Sequence, residues 1–305
     1  MAHGKWRGVL QLARPVPLVT WSLSTVVLGL TNAGGYQSGW TGAAFTVLAG
    51  GVLLQGYITH GLNDLYDWHS GTDRTTPGVI SGGSHTLRAG LLTTREMWQV
   101  VAAATAVSLA LLAWLASWRG PTLLWLGALA LVAAVAYSVP PLRFCYRPLL
   151  GEWAGIFPAM VCGTLAAGFA VSQELPPLLI LVAIIQGIVC VASVMEHHLV
   201  DIDSDWAATP RKATSPAFWQ RARRRPGREV ALAYELMALV LSAGAAWLVA
   251  PRLWWSAAVA GAGVWVILGT RTGDHRDELW RDVALKSLAV LHALGYAVLA
   301  LAGVP

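Results

Sequence analysis

The stretch Leu62-Asn63-Asp64-Leu65-Tyr66-Asp67, running on to Gly71-Thr72-Asp73, closes one long apolar segment, and Asp201-Ile202-Asp203-Ser204-Asp205 closes another. Together they hold six of the 16 acidic residues in a 305-residue chain that is only 12% charged. A carboxylate placed where a hydrophobic helix leaves a bilayer is costly, so its default reading is functional. Two clusters of hard oxygen ligands suit Mg²⁺ shared with a phosphate-bearing substrate. These stretches point to a membrane-embedded enzyme acting on a diphosphate.

The segments around them support that reading. The chain is 56% hydrophobic, with a mean hydropathy of +0.56, whereas soluble domains are about half apolar and about a quarter charged. Nine stretches are apolar over the roughly 20 residues that a crossing needs. They lie near 16–33, 40–62, 97–117, 121–139, 151–172, 176–200, 230–250, 253–270 and 284–303. Gly, Pro and Ser within them are tolerated better in membrane helices than in soluble ones. The expected architecture is an all-α integral membrane protein with a single transmembrane domain over 1–305. Its pseudo-repeat halves are roughly 1–150 and 151–305, each offering one acidic helix end. Lys5 and Arg7 precede the first apolar run, which is too long for a signal peptide and reads as the first span. Cys145, Cys162 and Cys190 lack paired spacing and predict neither disulfides nor a zinc site.

Basic residues set the orientation. With the N-terminus inside, segments 1–15, 63–96, 140–150, 201–229 and 271–287 face the cytoplasm and carry 19 of the 21 Lys and Arg. Only Arg119 and Arg252 fall on the other side. This asymmetry predicts a bacterial-type cytoplasmic membrane protein with both acidic motifs opening on the cytoplasmic side. Arg221, Arg223, Arg224 and Arg225 then read as a topology anchor against anionic lipid rather than a nucleic-acid site.

Spacing refines the site. On a helix Asn63 and Asp67 share a face, as do Asp201 and Asp205, while Asp203 points away. Facing each other across a cavity, Asn63, Asp64, Asp67, Asp73, Asp201 and Asp205 would hold two or three Mg²⁺ ions bridging to diphosphate oxygens. Basic groups must take up the remaining phosphate charge. Tyr137 and Arg143 close the fourth span, with Arg147 behind them, and Arg88, Arg211 and Lys212 follow the acidic motifs. Arg suits bidentate phosphate contacts.

The chain resembles the UbiA-type superfamily of intramembrane prenyltransferases. The resemblance rests on the two Asp-rich motifs, on Ala13-Arg14-Pro15, and on the block from Tyr137-Ser138 through Pro148-Leu149-Leu150-Gly151-Glu152. It implies about nine transmembrane helices around a central cavity, Mg²⁺ as cofactor and a prenyl diphosphate as substrate. Within the superfamily the first motif, with Asp73 as its downstream acid, is most similar to the menaquinone branch, which prenylates 1,4-dihydroxy-2-naphthoate. Ser81-Gly82-Gly83-Ser84 and Arg88-Ala89-Gly90-Leu91-Leu92-Thr93 also look like that branch.

The second motif departs from it. The branch carries Asn-Asn, a residue and Arg before the first Asp, where this chain has His197-His198-Leu199-Val200. A Gly-Lys-Arg-Thr-like run is replaced by Trp206-Ala207-Ala208-Thr209-Pro210-Arg211-Lys212. On a continuous helix, His197 would lie one turn before Asp201 on the same face, placed as a general base or a diphosphate donor. His198 and Glu196 are its neighbours in this candidate catalytic group. Trp68 and Trp206 each follow a motif Asp and could offer ring faces to an allylic cation. The expected activity is alkylation of an aromatic or other electron-rich acceptor. The alternatives are a terpene cyclase of the same fold, which needs no acceptor, and a non-enzymatic transporter.

Overall fold

The structure, a computed structural model, describes residues 2–75 and 83–303. All regular structure among them is helical. Seven helices are long and apolar enough to cross a membrane: α1 (Gly4–Thr31), α2 (Trp40–Ser70), α3 (Thr94–Arg119), α5 (Gly151–Ser172), α6 (Pro177–His197), α7 (Arg228–Leu248) and α9 (His275–Leu301). The fourth and eighth expected spans are occupied by the shorter α4 (Thr122–Ser138) and α8 (Trp254–Leu268), of 17 and 15 residues.

Local chemistry sets the helix ends. Thr93 and Glu96 form a reciprocal capping box at the start of α3, which satisfies two otherwise orphaned backbone donors. The Asp274 side chain accepts from the amides of Arg276 and Asp277 and starts α9 at His275, well ahead of the expected 284. Pro177 opens α6 in the first-turn position where its missing N–H costs nothing. Helix α2 continues to Ser70, beyond the expected 62, and stops where Gly71 takes a left-handed backbone at φ +91°. Helix α1 is interrupted at Ala13-Arg14, and Pro15 restarts it.

Helix α6 is the axis of the bundle: 78% of its apolar window is buried, against 22–61% in the other six long helices. It packs on α5, α7 and α9, while α1 packs on α5 and α9. Helices α1 and α5 approach so closely that a Cβ at Gly29 would collide with the Thr164 carbonyl oxygen. Three segments wind as wider π turns: Leu18–Leu23 in α1, Val52–Thr59 in α2 and Gly151–Ile156 in α5. Each contributes residues to the same central cavity, in keeping with the association of π turns with functional sites. Trp114, Trp118, Trp125 and Trp254 are exposed on the outer surface, as expected for interfacial belts. Trp255 instead turns inward and donates to the His292 carbonyl.

Candidate active site

Because α2 runs through Asn63–Ser70, its acids are fixed by helix geometry. Asn63 Nδ2 donates to Asp67 Oδ2 at 2.9 Å. Tyr146 donates its hydroxyl to Asp67 Oδ1 at 3.0 Å. Asp64 Oδ2 accepts the Ser84 amide at 2.9 Å. Gly83, at φ +76°, lies against Asp64 and Asp73, and a Cβ there would overlap both carboxylates. Only a residue without a side chain lets the backbone come this close.

The second motif is built differently from the expectation. Helix α6 ends at His197, the chain turns through 198–201, and Asp201 begins a separate short helix, Ile202–Ala207. His197 and Asp201 therefore share no continuous helical face. The break follows from Asp201 leaving helical backbone at φ −99°, ψ 0°. Asp205 keeps its expected relation to Asp201, donating its amide to the Asp201 carbonyl at 2.8 Å. Asp203 points outward and pairs with Arg221.

Lys212 ties the two motifs together. The loop after the short helix is pinned by the Thr209 amide on the Ser70 carbonyl (2.9 Å) and the Lys212 amide on the Asp205 carbonyl (3.0 Å). The buried ammonium then donates to Asp67 at 2.7 Å and lies 3.5 Å from Asp205. Burial alone would lower the pKa of this ammonium, but Asp205 and Asp67 outweigh it and raise the value well above that of an ordinary lysine. Burial pushes Asp73, Asp201 and Asp205 the opposite way to solvent-exposed acids, upward, with neighbouring carboxylates adding to the shift at Asp73 and Asp205. His198, 3.2 Å from the Tyr137 hydroxyl and 3.7 Å from Asp205, is held neutral by burial and then by the Lys212 charge.

Most of these groups close the polar end of one cavity, with Asp64 and Asp205 outside its lining. Asn63, Asp67, Asp73, His197, His198, Asp201 and Lys212 line it there, together with His60 and Tyr137. Its remaining wall is apolar, including Val26, Val47, Leu54, Leu112, Leu131 and Met160 from five different helices. Among the described residues no three His, Cys, Asp or Glu side chains converge on a ready-made metal cage. The donor set still fits Mg²⁺, which binds through one or two carboxylates and completes its shell with water and substrate phosphate. Buried oxygens are available for it: Asp64 Oδ1 and Asp201 Oδ1 have no hydrogen-bond partner.

Several expected contributors stand outside the cavity wall. Arg143 lies over the rings of Tyr66 and Tyr146 at 5.4 and 5.3 Å. Arg147 donates to the Pro141 carbonyl, and Arg211 stacks on Trp206 at 4.4 Å. Arg88 is exposed. Trp68 faces Arg74 at 5.0 Å, so both motif-adjacent tryptophans already have cations over their rings. Glu196 accepts from the Thr270 hydroxyl at 2.6 Å. Ser81 and Gly82 lie outside the described residues.

Other residues enter the site without having been singled out for it. Arg14 lines the cavity from its left-handed backbone position at φ 47°, with no ion pair among the described residues. Its place before Pro15 was the one available signal. Tyr146 anchors Asp67. Asp282 and Lys286 of α9 reach His197 from behind, with His197 Nδ1 3.1 Å from both Asp282 Oδ2 and Lys286 Nζ.

Comparison with known proteins agrees with this fold. The model of the UbiA prenyltransferase family matches residues 22–300. A UbiA homolog from Archaeoglobus fulgidus, solved bound to GPP and Mg²⁺, superposes with a TM-score of 0.69 at 17% identity, covering 95% of this chain and 99% of that one. An apo UbiA homolog from Aeropyrum pernix K1 gives 0.62 at 18% identity, covering 92% and 95%. A digeranylgeranylglyceryl phosphate synthase structure gives 0.62 at 14% identity, covering 97% and 98%. At these identities the structural matches speak for the fold. No match is found among curated protein sequences.

Proposed function

This chain belongs to the UbiA prenyltransferase family, and from that premise we propose that it is a Mg²⁺-dependent intramembrane enzyme that transfers a prenyl group to an aromatic or other electron-rich acceptor. The observation that carries the reading is the meeting of two Asp motifs, joined by Lys212, at the polar end of a cavity whose other walls are apolar. A diphosphate head and an isoprenoid tail match those two ends. The bound GPP and Mg²⁺ of the Archaeoglobus homolog support the same assignment.

Asn63, Asp64, Asp67, Asp73, Asp201 and Asp205 would hold Mg²⁺, which supplies Lewis-acid polarisation of the leaving group. Lys212 and Arg14 stand where charge develops on the departing diphosphate, a preorganised arrangement of the kind that stabilises transition states. Tyr137 and Tyr146 orient His198 and Asp67 by hydrogen bonding. The apolar wall excludes water, so the allylic electrophile meets an acceptor carbon rather than hydroxide. The site would open on the cytoplasmic side, where the basic segments lie.

The test uses purified protein in nanodiscs with Mg²⁺ and prenyl diphosphates of increasing length, each with and without 1,4-dihydroxy-2-naphthoate or simple phenolic acids. Mass spectrometry reads the products. A prenylated aromatic formed only with acceptor establishes the transferase. A cyclic hydrocarbon or alcohol formed without acceptor replaces it with a cyclase.

A further inference from the structure

Behind the cavity wall lies a buried polar cluster that diphosphate binding does not use. Asp282 and Lys286 sit one turn apart on α9, at 0% and 1% exposure, and their side chains form an ion pair. Both meet His197 Nδ1, each at 3.1 Å. Trp21 packs its ring edge-on to the imidazole, with centroids 5.7 Å apart, and Lys286 Nζ lies 5.1 Å from the centre of the Trp21 ring. Trp21 is itself fixed by its indole N–H on Ser193 Oγ at 3.1 Å. The imidazole is therefore held in position by three contacts, the Trp21 ring from α1 and Asp282 and Lys286 from α9.

The cluster bears on the tautomer of His197, whose Nδ1 has both an acceptor, Asp282, and a donor, Lys286, within reach. With its lone pair on Nδ1 the ring would accept from the Lys286 ammonium, but that pair would also face the Asp282 carboxylate at the same 3.1 Å. With the proton on Nδ1, the carboxylate oxygen accepts from both the imidazole and the ammonium, and charge-assisted bonds of this kind are the stronger ones. One anion, one cation and a neutral ring then share the buried space without net charge. Since His197 lines the cavity and its Nδ1 is engaged, Nε2 is the nitrogen left for a cavity occupant, and in the Nδ1-protonated ring it carries the lone pair.

We infer that His197 is the proton acceptor of prenyl transfer and that Asp282, charge-balanced by Lys286, is its positioning residue. The inference rests on the transferase reading above. In the step it serves, the C–O bond to diphosphate breaks and diphosphate leaves with the electron pair. The acceptor carbon forms the new C–C bond, and the proton lost by the acceptor passes to His197 Nε2. An imidazolium so formed lies against the Asp282 carboxylate, the orienting arrangement familiar from catalytic His–Asp pairs.

The experiment combines a turnover-free and a kinetic readout. ¹⁵N-histidine NMR of the full-length protein in nanodiscs, with His197→Gln to assign the signal, is expected to show His197 protonated at Nδ1 and bare at Nε2. Asp282→Asn is made together with Lys286→Met, so that no unpaired buried charge is left. Calorimetric binding of Mg²⁺ with a prenyl diphosphate is expected to be unchanged in the double variant, with KM retained and kcat down by about a hundredfold or more, the scale of a lost general base. His197→Gln should show the same split, and it decides the question if the double variant fails to bind. A protonated Nε2 in the native protein, or wild-type kcat in His197→Gln, overturns the inference while the transferase reading stands. A native protein that binds the diphosphate yet prenylates no acceptor removes the transferase reading and the proton acceptor with it, whatever tautomer the NMR finds.

Discussion

At the level of single residues, the site depends on carboxylates kept out of water. Asp67 and Asp201 belong to opposite motifs and both face the cavity, so Asp67→Asn and Asp201→Asn are each expected to cut turnover by more than about a hundredfold. Product formation under saturating Mg²⁺ checks this, and full activity in either variant would remove the metal-site reading. The raised pKa values of Asp73, Asp201 and Asp205 make a second prediction. Their folded values exceed the unfolded ones, so in the metal-free protein their contribution to stability is full below the ordinary carboxylate range and is lost as pH rises through the raised values. Mg²⁺ requires the ionised form. Its affinity is therefore expected to climb with pH over that window, and its binding to release protons. Calorimetry in two buffers of different ionisation heat counts them, and a count of zero would contradict the prediction.

Between elements, α1 and α5 meet backbone to backbone at Gly29. A Gly29→Ala variant must push the Thr164 backbone away, and overpacking of this sort costs about 1–3 kcal/mol. A lowered thermal midpoint in detergent is the expected result. How much of this was legible beforehand follows from where charge sits along each element. Asn63, Asp67 and Asp201 announced themselves because polar groups at the end of an apolar run are conspicuous, and Lys212 because it follows the second motif. Asp282 and Lys286 did not: an apolar window drawn from 284 leaves Asp282 outside and Lys286 at its edge, whereas the Asp274 cap begins α9 at His275 and carries both charges into the interior. Arg14 entered only within Ala13-Arg14-Pro15, at the start of the apolar part of α1, with no role attached to it. The turn between His197 and Asp201 was illegible because no Gly or Pro marks it. Trp68 and Trp206 were read as ring faces for an allylic cation, but the cations over their rings come from residues a few positions on, and sequence does not tell which way an aromatic turns.

For the whole molecule, the distribution of basic residues predicts its sidedness. Cysteines introduced at Arg223 and at Arg252, in the background with Cys145, Cys162 and Cys190 buried, should be labelled by an impermeant thiol reagent from opposite faces of the membrane. Labelling of both from one face would overturn the orientation. The architecture has one more consequence. Asp64 and Asp67 belong to α2, Asp201 and Asp205 follow α6, and the covalent connection between α4 and α5 passes through the exposed Pro140–Leu142. The active centre is thus a product of docking, not of chain continuity. Two co-expressed fragments, cut at that point, should complement each other in the bilayer, and the rate of prenyl transfer would then serve as a direct gauge of how well the transmembrane pieces find one another.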